Sequence, residues 1–185
     1  MDTKVVPHER RNLRGGHRPQ RLGRVCLPGH VCHVTVATRE RQPHFANFHV
    51  ACTAVRAFVD PAMRGDARLL AWVLMPDHVH WLLQAGQCLP VETVVARMKS
   101  ATGVQVNRTL SCAGALWEPA FHDRALRREN DLAAVARHIV ATPLRAGLVD
   151  DIRDYPFWDS AWLPDIDASL QTPADGPPPA PLSPW

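Results

Sequence analysis

The strongest constraint on the fold is the segment from Ala71 to Gln84, which reads AWVLMPDHVHWLLQ. Its two apolar runs, Ala71–Met75 and Val79–Leu83, are each short enough to form a buried strand. Pro76 and Asp77 lie between the runs, and this pair of residue types favours a turn. The segment therefore predicts two neighbouring strands joined by a tight connection.

The second of these runs contains a pair of histidines, His78 and His80. Side chains alternate between the two faces of a strand, so both imidazoles share one face with Leu82 and Gln84. Two imidazoles on one face can serve as a pair of metal ligands. The same spacing also occurs where both rings are simply hydrogen-bonded or half-exposed, and spacing alone leaves both interpretations open.

Hydrophobic patterning along the rest of the chain predicts an α+β fold. We expect a ferredoxin-like split β-α-β arrangement whose antiparallel central sheet carries the two histidines. The predicted elements are a strand within 24–38, a helix over 45–59, the two strands above, a helix beginning at Pro90, a short strand over Leu116–Phe121 and a helix over Leu132–Thr142 that Pro143 interrupts or ends. Asn130 or Asp131 is the expected cap of this last helix.

Charge and proline content divide the chain into three parts: a basic flexible arm (1–23), one folded domain (24–163) and a proline-rich acidic tail (164–185). The net charge is only +3, but residues 1–24 carry seven basic side chains and two acidic ones. Such an arm suits a polyanion, and it is equally typical of a solvated leader.

Composition excludes several classes of protein. No apolar run is long enough to span a membrane, and the N-terminus has no apolar secretion segment, so we expect a cytoplasmic protein without a membrane partner. The five cysteines are scattered and never form a C-x-x-C pair. We therefore expect reduced, mostly packing cysteines rather than a disulfide framework or a zinc knuckle.

Four stretches between about Arg21 and Leu163 resemble the REP-associated tyrosine transposases, a branch of the single-tyrosine HUH transposases within the IS200-like family. The central stretch contains the His-hydrophobic-His motif of that family. In chain order the four are RLGRVCLPGH, LAWVLMPDHVHWLLQ, LWEPAFHDRALRRENDLAAVARHIVATPLRAGLV and DYPFWDSAWL.

This resemblance implies metal-dependent cleavage and rejoining of single-stranded or hairpin DNA in DNA transposition, a recombination reaction. In the family a divalent metal, commonly Mg²⁺ or Mn²⁺, is held by two histidines and a polar third ligand. A helical tyrosine then attacks the scissile phosphate and forms a covalent 5′-phosphotyrosine intermediate. By resemblance, His78 and His80 are the metal ligands.

The chain departs from the family in the nucleophile helix, where the family usually reads Ala-Arg-Tyr-Ile-Val-Ala-Asn-Pro. Here His138 stands at the position of the tyrosine and Thr142, the expected third-ligand position, stands at that of the asparagine. Both lie at helical i, i+4 spacing and so on one face. The only tyrosine of the chain, Tyr155, matches a second tyrosine of the family and is expected to pack structurally.

Three interpretations of His138 follow: a nucleophile that forms a phosphoryl-enzyme intermediate, a third metal ligand, or the loss of the nucleophile. Loss of efficient strand transfer is the leading one, and it leaves a transposase-family DNA-binding protein. The alternatives are a catalytically inactive or repurposed hairpin-binding protein and a metal-dependent hydrolase with a three-histidine Zn²⁺ site.

Basic side chains are expected to contact the phosphates of the DNA. Relatives occur as monomers and as dimers, so a homodimer is possible. The candidate DNA-binding residues are Arg14, Arg18, Arg21, Arg24, Arg97, Lys99, Arg124, Arg127, Arg128 and Arg145.

Overall fold

The computed structural model describes residues 26–126 and 131–162, and within these ranges five strands form one antiparallel sheet in the order β4-β1-β3-β2-β5. The predicted arm and tail lie outside the described residues. The strands are β1 (Val31–Ala37), β2 (Arg68–Met75), β3 (His78–Gln84), β4 (His122–Ala125) and β5 (Trp158–Ser160). The helices are α1 (Phe48–Val59), α2 (Pro61–Arg64), α3 (Val91–Leu110), α4 (Leu132–Val140) and α5 (Thr142–Arg145).

The sheet confirms the predicted ferredoxin-like topology. Strand β3 lies between β1 and β2 and pairs antiparallel with both of them, so β1 and β2 run parallel to each other. Helix α1 connects these two strands in the sequence, which makes the unit a split β-α-β. The central strand β3 is the one that carries the two histidines.

The sheet buries both of its faces. Trp81 of β3 packs on the α1 side, where its ring centroid lies 5.5 Å from that of Phe58, and α3 covers the same side. The next residue, Leu82, faces the other way and packs in one cluster with Ile139 of α4. Because His78 and His80 alternate in step with Leu82, they face the side that α4 covers.

Short polar side chains set the starts of two helices. Asn47 caps α1 by accepting a hydrogen bond from the amide of Val50 at 3.1 Å. Asp131, one of the two predicted caps, does the same for α4 through the amide of Ala134 at 3.1 Å. These bonds satisfy amides that have no partner inside the helix.

One predicted strand was wrong, and one predicted helix is present with an earlier end. Residues 116–121 do not form a strand beyond one bridge between Trp117 and Thr38, and the strand begins later, at His122. The ammonium group of Lys99 donates to the carbonyls of Glu118 and Pro119, so these groups are used by a side chain instead of a ladder. The helix predicted over Leu132–Thr142 ends at Val140.

The prediction that all cysteines are reduced was also wrong, because Cys26 and Cys32 form a disulfide. The Pro28–Gly29 turn folds the chain back, and the amide of Gly29 donates to the carbonyl of Ala85 at 2.9 Å. This brings two cysteines that are six positions apart to a Cα–Cα distance of 6.6 Å. The spacing of the cysteines in the sequence does not reveal this turn, so it did not predict the disulfide.

We expect Phe58→Ala to lower the free energy of unfolding by about 3–5 kcal/mol, because the ring is fully buried and its removal leaves a cavity. The two tryptophan rings at 5.2 and 5.5 Å, those of Trp72 and Trp81, would line that cavity. Urea unfolding followed by fluorescence measures the change. Leu110→Ala, at a side chain that is 40% exposed, is the control and should change stability by less than about 0.5 kcal/mol. Equal effects of the two substitutions would contradict the assigned core.

Candidate functional site

Strand β3 presents His78 and His80 side by side on the face that α4 covers. Their ring centroids are 4.9 Å apart and their planes are perpendicular. His80 is buried, with 9% of its surface exposed, whereas His78 lies nearer to the surface. The structure thus brings the two predicted metal ligands together.

Strand β1 supplies two hydrogen-bond partners to His80, the more buried of the two histidines. The Nδ1 atom of His80 lies 2.9 Å from the hydroxyl oxygen of Thr35 and 3.1 Å from Nε2 of His33. Burial, followed by the charges of His33 and His78, holds the pKa of His80 well below its usual value. His80 is therefore neutral at pH 7, which is the form of imidazole that binds a metal ion.

His78, the less buried of the two histidines, is held by a carboxylate. The Nδ1 atom of His78 lies 2.6 Å from an oxygen of Asp77, and the other oxygen of this carboxylate accepts from Arg41 at 3.3 Å. Partial burial raises the pKa of Asp77, but the hydrogen bond from His78 and the charges of His78 and Arg41 outweigh it and lower that pKa. A carboxylate on the rear nitrogen of a histidine is typical of metal sites.

The two imidazoles fit a metal ion, and a third protein ligand is not grouped with them. In both rings Nδ1 is occupied by a partner from the protein, so Nε2 is the nitrogen left for a cation. Within the ranges 26–126 and 131–162, no three His, Cys, Asp or Glu side chains are arranged to hold a metal ion. The three-histidine site considered for His78, His80 and His138 is therefore not formed among these residues.

Helix α4 places His138 close to the histidine cluster, near enough that its charge affects the pKa values of both His33 and His80. Burial and then the charge of Arg145 lower the pKa of His138 itself. His138 is thus a neutral imidazole beside the pair.

The hydroxyl group of Thr142 is already engaged on both sides. It donates to the carbonyl of Ile139 at 2.6 Å and accepts from the guanidinium of Arg145 at 2.8 Å. A metal ion at this oxygen would lie beside a guanidinium cation and be repelled by it. The geometry therefore disfavours Thr142 as the third ligand.

Tyr155 is a structural residue in this fold, as the sequence indicated. Its hydroxyl group donates to the carbonyl of Leu74 in β2 at 2.6 Å, and its ring packs against Phe157. Burial raises its pKa to about 12. The phenol is therefore protonated and bound to the backbone.

The predicted DNA-binding residues fall into separate places. Arg124 pairs with His33 across β4 and β1 and so shares the face of the histidines, and Arg145 joins that side from α5. Arg97 and Lys99 lie on α3, across the sheet. The remaining candidates, Arg14, Arg18, Arg21, Arg24, Arg127 and Arg128, lie outside the described residues.

Comparison with known families decides the assignment. The model of the family described as "Transposase IS200 like" matches residues 26–135, which is more than half of the chain and includes β1 to β4 and the start of α4. The chain belongs to the IS200-like transposase family. The resemblance drawn from the HVH motif is thereby confirmed.

Individual proteins similar to this family member are REP-associated tyrosine transposases. One from Escherichia coli (strain K12) is 28% identical over 90 residues, which are 47% of this chain and 50% of that protein. A Haemophilus influenzae (strain Rd) protein assigned provisionally to the same group is 25% identical over 111 residues, 55% of this chain and 62% of its own length. The matched stretches thus span less than two thirds of these relatives.

A solved structure shows the same fold. It is that of a REP-associated tyrosine transposase bound to a REP hairpin, with a TM-score of 0.63 and 20% sequence identity, over 80% of this chain and 86% of that one. At this level of identity the likeness concerns the arrangement of the sheet and helices.

The sequence reasoning missed three residues of this family member's site: His33, Thr35 and Asp77. A signal for the first two was present, because His33 and Thr35 alternate in β1 in the same way as His78 and His80 in β3. The predicted strand order places β1 beside β3. The role of Asp77 was hidden by its position in a turn.

We expect the tyrosine of the native protein to ionise near pH 12, whereas in the urea-unfolded chain it should ionise near its ordinary value of 10. Burial disfavours the phenolate only in the folded state, so the stability that this group contributes is complete below pH 10 and is lost as the pH rises through 12. Absorbance at 295 nm follows the titration. Tyr155→Phe is the control and should show no tyrosinate signal, and a native midpoint near 10 would contradict the assignment.

Proposed function

We propose that this chain binds single-stranded or hairpin DNA beside a divalent metal ion held by His78 and His80, and that it lacks the covalent step of strand transfer. The observation that carries the proposal is the state of Tyr155. It is the only tyrosine of the chain, and its hydroxyl group donates a hydrogen bond to the carbonyl of Leu74 in β2. No phenol is thus left to attack a phosphate.

Positive charge beside the histidines supports the DNA-binding part. Arg124 and Arg145 approach this side of the sheet from two different elements, β4 and α5. Guanidinium groups bind phosphate oxygens in pairs of hydrogen bonds, so these two residues suit a nucleic-acid backbone. The structural neighbour bound to a REP hairpin makes a DNA hairpin the substrate to test first.

Mg²⁺ or Mn²⁺ is the metal that the family resemblance implies. Two imidazoles supply the protein ligands for it, and Asp77, Thr35 and His33 fix their orientation by contacting Nδ1 of each ring. A divalent ion bound there would supply positive charge to a scissile phosphate. A Zn²⁺ hydrolase with three histidines is disfavoured, because the described residues contain no such group.

His138 gives the site a neutral imidazole where the family has its tyrosine. An imidazole is shorter than a phenol, and it attacks through a ring nitrogen instead of an oxygen beyond the ring. A covalent protein–DNA bond of the family type therefore requires a different side chain at this position. The proposed metal pair and the arginines lie on other elements, β3, β4 and α5.

We expect no covalent protein–DNA product when the chain is incubated with Mn²⁺ and a labelled hairpin oligonucleotide that carries a single-stranded flank. His138→Tyr should produce a band of reduced mobility on a denaturing gel, because it restores a phenol at the position of the family nucleophile. His138→Phe is the matched control, with the same ring and no hydroxyl, and should give no band.

A covalent band from the unaltered chain would overturn the proposal. If the single variant His138→Tyr gives no band, the double variant with Thr142→Asn is tested next, because it restores both family residues. If the double variant binds the hairpin and also fails to react, the site has lost more than its nucleophile, and the assignment of the covalent defect to His138 is contradicted.

We expect Arg124→Ala to weaken hairpin binding and to reduce the slope of log K against log salt concentration by about 0.7–0.9, the value for one lost phosphate contact. Fluorescence anisotropy of a labelled hairpin, measured over a salt series, gives both quantities. Arg56→Ala is the control, because Arg56 lies on α1 across the sheet. Equal losses of hairpin affinity from both substitutions would show that the sheet face carrying the histidines has no special part in DNA binding.

Three expectations from the sequence stay predictions: a homodimer, a cytoplasmic location and the identity of the metal. Within the described ranges, no helix is long and apolar enough to cross a membrane.

A further inference from the structure

The site contains two residues that the family assignment gives no role, His33 and Thr35 of β1. Both contact the same atom, Nδ1 of His80, at 3.1 and 2.9 Å. They reach it because β1 pairs with β3 in a register that sets Thr35 opposite His80 and His33 opposite Leu82. Two partners on one nitrogen is more than a neutral imidazole needs to satisfy its hydrogen bonding.

The state of that nitrogen decides whether His80 can hold a metal ion. A neutral imidazole carries one proton, on Nδ1 or on Nε2, and only the nitrogen without the proton has a lone pair for a cation. Since Nδ1 of His80 faces β1, Nε2 is the nitrogen available to the site. His80 is a ligand only when its proton is on Nδ1.

The two partners differ in what they can accept or donate. The hydroxyl group of Thr35 can do either, so on its own it permits both tautomers of His80. The Nε2 atom of His33 accepts when its own proton is on Nδ1, and it then attracts His80 only in the tautomer with the proton on Nδ1. Together the two atoms form an acceptor pair for one N–H group.

We propose that His33 and Thr35 are positioning residues that hold the proton of His80 on Nδ1 and thereby present the lone pair of Nε2 to the divalent metal. The proposal rests on the proposed metal site at His78 and His80. Asp77 contacts Nδ1 of His78, and the two β1 residues contact Nδ1 of His80. Each proposed metal ligand is thus oriented by a partner on the nitrogen that faces away from the metal.

The test measures the binding of Mn²⁺ to the full chain without DNA, by isothermal titration calorimetry. His33→Phe keeps a ring in the half-buried position and removes the acceptor, and it should weaken Mn²⁺ binding by about 10–100-fold. Thr35→Val removes the hydroxyl group at nearly constant volume and should weaken binding in the same direction. His33→Gln returns an acceptor oxygen close to the position of Nε2 and should lose less affinity than His33→Phe.

Controls separate positioning from stability. Thr102→Val removes an equally buried hydroxyl group on α3, across the sheet, and should leave Mn²⁺ affinity unchanged. Thermal unfolding in EDTA shows whether each variant is folded, and the visible absorption of bound Co²⁺ reports a change in the ligand geometry. A structural role alone would lower the unfolding midpoint and leave affinity and spectrum unchanged in the folded protein.

The outcomes also distinguish this proposal from the one on which it rests. If His80→Ala binds Mn²⁺ as well as the unaltered chain, the metal site itself is wrong. If His80→Ala abolishes binding while folded His33→Phe and Thr35→Val bind normally, the metal site stands and the positioning role is overturned. If His33→Phe does not fold, Thr35→Val and His33→Gln decide, and unchanged affinity in Thr35→Val overturns the role.

Discussion

The site depends on the register between β1 and β3. Pairing of Thr35 with His80 sets the polar side chains of both strands on one face, which they share with Val31 and Leu82. A shift by one residue would turn His33 and Thr35 into the core beneath α1 and α3 and would expose Val34 to the site. The fully buried Val34, Val36 and Trp81 oppose such a shift, so packing on one face fixes the chemistry on the other.

The elements that the sequence predicted well are those with strong local patterns. The runs around Pro76–Asp77 became β2 and β3, and the helical spacing in 45–59 and 91–110 became α1 and α3. The failures have a shared cause. The strand expected over 116–121 and the disulfide of Cys26 are each decided by contacts with distant parts of the chain, such as Lys99 and Ala85.

The sequence identified the histidine pair that the structure brings together, and it missed the residues that contact this pair. His78 and His80 carry a motif that can be read in one strand. Their partners come from β1, from the turn at Asp77 and from the segment that contains Arg41. These partners can be identified only when the three-dimensional arrangement of those segments is known. The same holds for Thr142, whose side chain looks like a ligand in the sequence and is bound to Arg145 in the fold.

The disulfide between Cys26 and Cys32 has a consequence for the reach of the basic N-terminal segment. It fastens the chain to the end of β1 that lies away from His78, since His78 pairs with Ala37, five residues beyond Cys32. Five residues of strand span about 16 Å. A duplex strand, which advances about 3.4 Å per nucleotide, covers this distance in roughly five nucleotides. The bond therefore sets the length of duplex stem that reaches both the histidines and the entry point of the segment.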